Sequence, residues 1–245
     1  MQKNKKDVER SKKSIVILGM GLSGMLAAIG LSKQNYNITF IEQFSSNNDK
    51  FFADPRTTAI TDESKAFLEA IGIWERLEPE MGFIKDIYVV DNKSPDMLHF
   101  NPKFADEKVA MGYLIENSIF KKILLEVVRE QSNIKIIENS IYNEITNHED
   151  VVRVDLEDGS SINASLLLIC DGKNSLAKRK YFSSSRKKSY HQKALTFLVK
   201  HEKSHEGTAV EHFMNTGPFA ILPLRDPYIS SIVWTLDETR ADAMI

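Results

Sequence analysis

The stretch SIVILGMGLSGMLAAIGLSKQNYNITFIE, residues 14–42, runs through strand, turn, helix and strand patterns in an order that few local structures share. Ile15 to Leu18 is a short apolar run, as a strand buried on both faces of a parallel sheet requires. Gly19 follows where the chain must turn tightly. Gly21 has no side chain, so the backbone can come close to a diphosphate, and Gly24 lets the following helix pack against the strand. The free N–H groups and positive dipole end of that helix face the phosphates. Met25, Leu26, Ala28, Ile29 and Leu31 supply its apolar surface, and Asn35 stands at its expected end, because asparagine tolerates the left-handed conformation. A second strand, Ile38 to Ile41, delivers Glu42 to the place where a carboxylate accepts hydrogen bonds from ribose hydroxyls. The combination specifies a unit for an adenine dinucleotide. It does not distinguish FAD from NAD.

Beyond this unit, Asp62 to Ile71 reads as a helix ended by Gly72. Ile84 to Val90 and Met97 to Phe100 read as strands joined by a turn at Asn92 to Asp96. Asn117 to Glu130 has helical spacing through Ile119, Ile123, Leu124, Val127 and Val128. Short strands come next at Ile134 to Ile137, Ser140 to Ile145, Val151 to Leu156 and Ile162 to Ile169, with a hairpin turn at Asp158-Gly159, so this run predicts a small antiparallel flap returning to the main sheet. Longer strands come last: Ala194 to Val199, Ala209 to Phe213, Phe219 to Leu222 and Tyr228 to Leu236.

Composition sets wide limits. With 245 residues, 42% hydrophobic and 27% charged, the chain has the make-up of a soluble globular protein of one or two domains. A net charge of -2 gives no basic footprint for nucleic acid. The single cysteine, Cys170, excludes an intrachain disulfide and fits a reducing cytoplasm. No apolar run approaches the about 20 residues that cross a bilayer. The basic start, residues 1–13, lacks the apolar core of a signal peptide and reads as a disordered, solvated tail.

Two further signals concern binding. Leu166 to Cys170 reads as a buried strand ending in Asp171-Gly172, at the carboxyl end where open α/β sheets take ligands; an acid followed by glycine there can hold ribityl or ribose hydroxyls. Arg56, in the segment DPRTTAI (54–60), could clamp a phosphate or face a reacting ring. By contrast, His99, His148, His191, His201, His205 and His212 are scattered without metal-ligand spacing, so no metal site and no catalytic residue is assigned. Cys170 reads as a packing residue, since no second cysteine can resolve it.

The order of these pieces resembles the FAD-dependent aromatic hydroxylases, most closely those of ubiquinone biosynthesis that act on polyprenylated phenols. GMGLSG with Glu42, DPRTTAITDESKAFLEAIGIW (54–74), MGYLIENSIFKKIL (111–124), LLLICDGKNSLAKRK (166–180) and GPFAILPL (217–224) carry the likeness. The resemblance implies an α/β fold: a Rossmann-like FAD-binding domain, with a parallel sheet, helices and the antiparallel flap, and a substrate domain on a mixed or antiparallel sheet. Expected boundaries are 14–80 plus 105–182 for the first and 81–104 plus 183–245 for the second. It implies that Gly19, Gly21, Leu22, Ser23, Gly24 and Glu42 hold the adenosine half of FAD, that Arg56 and Asn117 lie near the cofactor, and that Asp171 and Gly172 form its second fingerprint. This chain departs from the pattern with Asn117 where the family often has arginine, and with Lys178 followed by Arg179 where an arginine is expected three residues after Ser175. A Gly-Asp-Ala-Ala-His type segment, which members carry beyond the GPFAILPL strand, is absent, and Asp237 to Ile245 reads as a helix barely begun; a truncated or partial chain is the expectation.

The activity implied is ring hydroxylation: NAD(P)H reduces FAD, O₂ adds, and a flavin hydroperoxide passes oxygen to a lipid-soluble phenol. Other ubiquinone-biosynthesis proteins are the implied partners. An NAD-dependent dehydrogenase explains the first forty residues equally well but leaves the later motifs unexplained, and a catalytically impaired remnant that keeps the fold is the other alternative. The expected location is cytoplasmic, with at most peripheral contact at the inner face of the membrane. Lys178, Arg179, Lys180, Arg186, Lys187 and Lys188 could touch an anionic surface there, although a solvated loop is the plainer reading.

Overall fold

The computed structural model describes residues 13–102, 110–182 and 188–245. All but Lys13 of the expected basic tail lies outside these residues, as do Arg186 and Lys187. Two compact units emerge, residues 1–53 with 121–185 and residues 54–120 with 186–245.

Along the chain, β1 (Ser14–Leu18), α1 (Leu22–Ser32), β2 (Asn37–Ile41) and α2 (Asp49–Phe52) open the first unit. The second unit takes β3 (Thr57–Ile60), α3 (Asp62–Ala70), α4 (Trp74–Leu77), a 3₁₀ turn at Glu78–Glu80, β4 (Gly82–Ile84), β5 (Asp86–Asp91), β6 (Met97–Phe100) and β7 (Gly112–Glu116). Helix α5 (Asn117–Glu130) carries the chain back to the first unit for β8 (Ile134–Ile137), β9 (Tyr142–Asn147), β10 (Val152–Leu156), β11 (Ser161–Ala164), β12 (Leu166–Ile169) and α6 (Leu176–Tyr181). Finally β13 (Gln192–Lys200), β14 (Thr208–Met214), β15 (Gly217–Pro223), β16 (Ile229–Asp237) and α7 (Glu238–Asp242) complete the second unit.

In the first unit a parallel sheet of order β12-β1-β2-β8 forms as the α/β reading expects. Ile15, Val16, Ile17 and Leu18 are each at most 2% exposed, so both faces of β1 are covered. Alternation explains how: Val16 and Leu18 join Ile41 in a cluster with Val152, Val154 and Leu156 of the antiparallel β11-β10-β9 flap, while Ile15 and Ile17 point to the opposite face. Each such side chain contributes roughly 1.5–3 kcal/mol on burial. Met25, Ala28 and Ile29 form the buried face of α1, and Asn35 after it adopts φ 61°.

The second unit holds a mixed six-stranded sheet, β13-β16-β15-β14-β5-β6, in which only the β14–β5 pair is parallel, and a separate antiparallel sheet β3-β7-β4.

Several sequence expectations need correction. The single strand expected over Ile162 to Ile169 is two: β11 pairs antiparallel with β10, β12 pairs parallel with β1, and Ser165 between them donates its N–H to Ser14 at 2.9 Å. Ile84 to Val90 is likewise divided at Lys85, whose N–H donates to Gly207 at 2.8 Å, so β4 and β5 enter different sheets. Strand β12 is not buried on both sides. It lies at the end of the sheet among the described residues, with Leu166 47% exposed. The units also divide elsewhere than the expected domains: residues 54–80 and 110–120 pack with the second unit, because β3 and β7 pair with each other and β7 with β4.

Candidate functional site

Three adjacent parallel strands of the first unit end side by side, and the residues just past each of them line one cleft of about 450 Å³. After β1 comes the turn at Gly19 and Gly21, after β2 comes Glu42, and after β12 come Asp171 and Gly172. The sequence singled out all of these residues; the sheet order brings them together.

The glycines do three different things. Gly19 adopts φ +88°, and a Cβ on it would meet the Cys170 carbonyl oxygen at 2.6 Å, so the turn runs hard against the end of β12. A Cβ on Gly24 would lie 2.3 Å from the Gly19 carbonyl oxygen, which fixes how closely α1 approaches the turn. At Gly21 a Cβ would meet nothing within 4 Å among the described residues. Bareness at Gly21 therefore has no packing cause in this fold. It keeps open the space in front of the helix.

That helix end is also left unsatisfied. Asn48, Thr61, Ser175 and Asp237 cap α2, α3, α6 and α7 through their side chains, whereas α1 begins at Gly21 with no side-chain cap and no acid in its first turn. Leu22 and Ser23 thus contribute main-chain N–H groups to an uncapped, electropositive terminus of the kind that takes phosphate; their side chains do not line the cleft.

Acceptors flank this donor. Glu42 is buried, with one carboxylate oxygen accepting from the Met20 N–H at 2.7 Å and the other from the Phe44 N–H at 3.0 Å. The carboxylate has roughly four lone-pair positions, so about two remain for ligand hydroxyls. On the other side Asp171 Oδ2 accepts from Tyr142 Oη at 2.9 Å and from the Leu176 N–H at 3.1 Å. Asp171 Oδ1 is buried and has no hydrogen-bond partner among the described residues. Burial and the neighbouring Asp171 carboxylate push the Tyr142 phenol well above its usual range, so it remains a donor at neutral pH. The same two causes raise the Cys170 thiol, which disfavours a reactive thiolate.

Tyr142, Lys121 and Arg179 also line the cleft and were not assigned from sequence as cofactor contacts. Lys121 sits 3.6 Å from the Phe51 ring centre and donates to the Phe51 carbonyl. Where the sequence showed Lys178 at the expected arginine position, it is Arg179 that lines the cleft. No motif flags Tyr142, because its partner is 29 residues away.

Arg56 and Asn117 belong to the second unit and meet on Asp54. Arg56 Nε and an Nη donate to the two Asp54 oxygens at 2.7 and 2.6 Å, and Asn117 Nδ2 donates to Oδ2 at 3.0 Å. Thr58 Oγ1 donates to Asn117 Oδ1 at 2.6 Å, so this asparagine is held from both ends. The Arg56 hydrogen bonds bring the Asp54 carboxyl down to about 2. Since its folded value lies below the ordinary 3.8, the stabilisation is complete above that pH and is lost as pH falls through about 2. Asp54→Asn should therefore lower stability at pH 7 by about 1 kcal/mol, a figure discounted for the solvent around Arg56. Urea unfolding across pH should show the variant and parent curves converging at low pH.

A wider depression of about 910 Å³ in the second unit, bordered by Glu78, His205 and Arg225, lacks such convergence. Arg225 is paired with Glu80 at 2.7 Å, and His205 is engaged by main-chain groups. Among the described residues no helix is long and apolar enough to cross a membrane, and no group of three or more metal-ligating side chains forms.

Comparison with known proteins agrees with this geometry. Ubiquinone hydroxylase UbiL of Rhodospirillum rubrum is 33% identical over 224 residues, covering 90% of this chain and 51% of that protein. Ubiquinone hydroxylase UbiM of Neisseria meningitidis is 28% identical over 237 residues, covering 94% and 51%. The chain thus spans about half the length of these curated relatives. Among solved structures, p-nitrophenol 4-monooxygenase PnpA from Pseudomonas putida shares the fold, with a TM-score of 0.79 at 17% identity over 94% of this chain and 61% of its own. The family described as FAD binding domain matches residues 12–243, nearly the whole chain, and with the dinucleotide turn and the fold in agreement, this chain belongs to that family.

Proposed function

We propose that this chain carries the flavin-binding fold of an aromatic-ring monooxygenase that hydroxylates a polyprenylated phenol in ubiquinone biosynthesis, with NAD(P)H as electron donor and O₂ as co-substrate. The convergence of an uncapped helix terminus, a bare Gly21 and two acids on adjacent strand ends is the observation that carries the cofactor part of this reading, and the family match and the ubiquinone hydroxylase relatives support the flavin and the reaction. FAD fits these residues: a diphosphate suits the N–H groups at Leu22 and Ser23, and ribose or ribityl hydroxyls suit Glu42 and the partnerless Asp171 Oδ1. Gly19 and Gly24 shape the turn, and Gly172, at φ +81°, follows Asp171 along the cleft. The roles of Arg56 and Asn117 rest on the family resemblance, and Asp54 holds both in place.

When bound, the flavin supplies the redox chemistry that activates O₂. The residues of this chain bind and orient it. A ubiquinone hydroxylase at 33% identity supports the substrate class, and a cytoplasmic location with peripheral membrane contact would suit a lipid-soluble phenol.

Titrating the purified protein with FAD and passing it through gel filtration tests the cofactor: a retained yellow band is expected, and colourless protein overturns the reading. Oxidation of NAD(P)H that depends on both O₂ and a prenylated phenol then tests the reaction, and flavin retention without such turnover overturns the enzymatic part.

A further inference from the structure

We infer that Tyr142 is a positioning residue for the cofactor, holding the Asp171 carboxylate so that its Oδ1 is presented to a ligand hydroxyl; this rests on the cleft being the FAD site. An irregularity in the backbone brings Tyr142 there. In the β9–β10 ladder Val154 pairs with Ile145 and Asp155 with Glu144, but Leu156 pairs with Tyr142, one residue beyond the regular partner Asn143. Strand side chains alternate, so a regular ladder would turn Tyr142 away from the face shared by Ile145, Val154 and Leu156. The extra residue reverses that. Tyr142 packs against the buried cluster containing Val154 and Leu156, and its hydroxyl reaches Asp171 at 2.9 Å. Asn143, the residue left over, gives its carbonyl to Lys180 Nζ at 2.9 Å. Bulges are a known device for re-aiming a side chain beside a binding site.

The hydrogen bonds show what the device accomplishes. Tyr142 and the Leu176 N–H both donate to Oδ2, leaving Oδ1 buried with no partner among the described residues. A buried carboxylate oxygen without a donor is unfavourable, and rotation of the side chain would relieve it. Two donors on the other oxygen oppose that rotation. A donor on the ligand would complete Oδ1, and the hydroxyls of a ribityl or ribose chain are donors of that class.

A double-mutant cycle read by FAD dissociation constants tests this. Tyr142→Phe keeps the ring and should weaken FAD about tenfold, because the released Asp171 side chain must be re-ordered on binding, and should lower the ligand-free melting temperature only as far as the loss of one part-buried hydrogen bond does. In an Asp171→Ala background the same change should have no further effect, and Asp171→Asn serves should the alanine variant not fold. Unchanged affinity in Tyr142→Phe, or an equal loss with and without the Asp171 carboxylate, overturns the inference while leaving the FAD site intact. Failure of the parent protein to bind FAD overturns both.

Discussion

Gly21→Ala should weaken FAD binding by about 10–100-fold while leaving the ligand-free protein as stable as before, the reverse of what Gly24→Ala should do. The two positions are three residues apart in one motif, yet they face different constraints. A methyl group at residue 21 meets no atom within 4 Å among the described residues and the backbone there is ordinary, at φ -77°. The fold has no reason to reject it. Its harm falls on a ligand whose diphosphate needs that space, and crowding of one methyl costs about 1–3 kcal/mol, which brackets the predicted range. At residue 24 the methyl sits 2.3 Å from a main-chain oxygen, where no side chain can turn aside. The helix must shift, and a melting temperature lower by about 5 °C is expected. Differential scanning fluorimetry and flavin titration on both variants would separate the effects, and a destabilised Gly21→Ala protein would contradict the assignment of that position to the ligand.

Glu42→Ala should be the more damaging of the acidic substitutions, lowering stability by about 2–6 kcal/mol even without cofactor. Glu42 is 7% exposed, and its carboxylate serves the N–H groups of both Met20 and Phe44. Its removal leaves two main-chain donors without their acceptor at the point where the glycine turn meets the end of β2, each worth about 1–3 kcal/mol. Glu42→Gln keeps the shape but turns an amide N–H toward one of those donors, so an intermediate loss is expected. Unfolding in urea measures both. If the alanine variant were as stable as the parent, the carboxylate would have no part in shaping the turn.

The sequence displayed the parts of this fold that depend on local chemistry. Asn35 reads as a helix end and has φ 61°; Asp158-Gly159 reads as a hairpin and Gly159 has φ +85°. Asn117 to Glu130 reads as a helix with the bounds that α5 has. The hidden parts depend on partners. An apolar run such as Ile162 to Ile169 looks continuous, because both the flap and the parallel sheet reward the same residues, and nothing at Ser165 announces a change of sheet. Strands β3 and β7 are unreadable inside their motifs, being four and five residues long and stabilised mainly by each other and β4. The site shows the same division. Gly19, Gly21, Glu42 and Asp171 stand at the ends of readable strands, whereas Tyr142 reaches the cleft through a one-residue irregularity in a ladder, which no spacing rule records.

Strand β12 has a consequence for handling the polypeptide. Its four residues, Leu166 to Ile169, are all apolar, and among the described residues it is hydrogen-bonded to a strand on one flank only. Peptide groups along the other flank form a template onto which a further extended segment can add. Solutions of this polypeptide should therefore grow more prone to self-association with rising concentration, and any segment that adds along that flank would act as its solubilising cover.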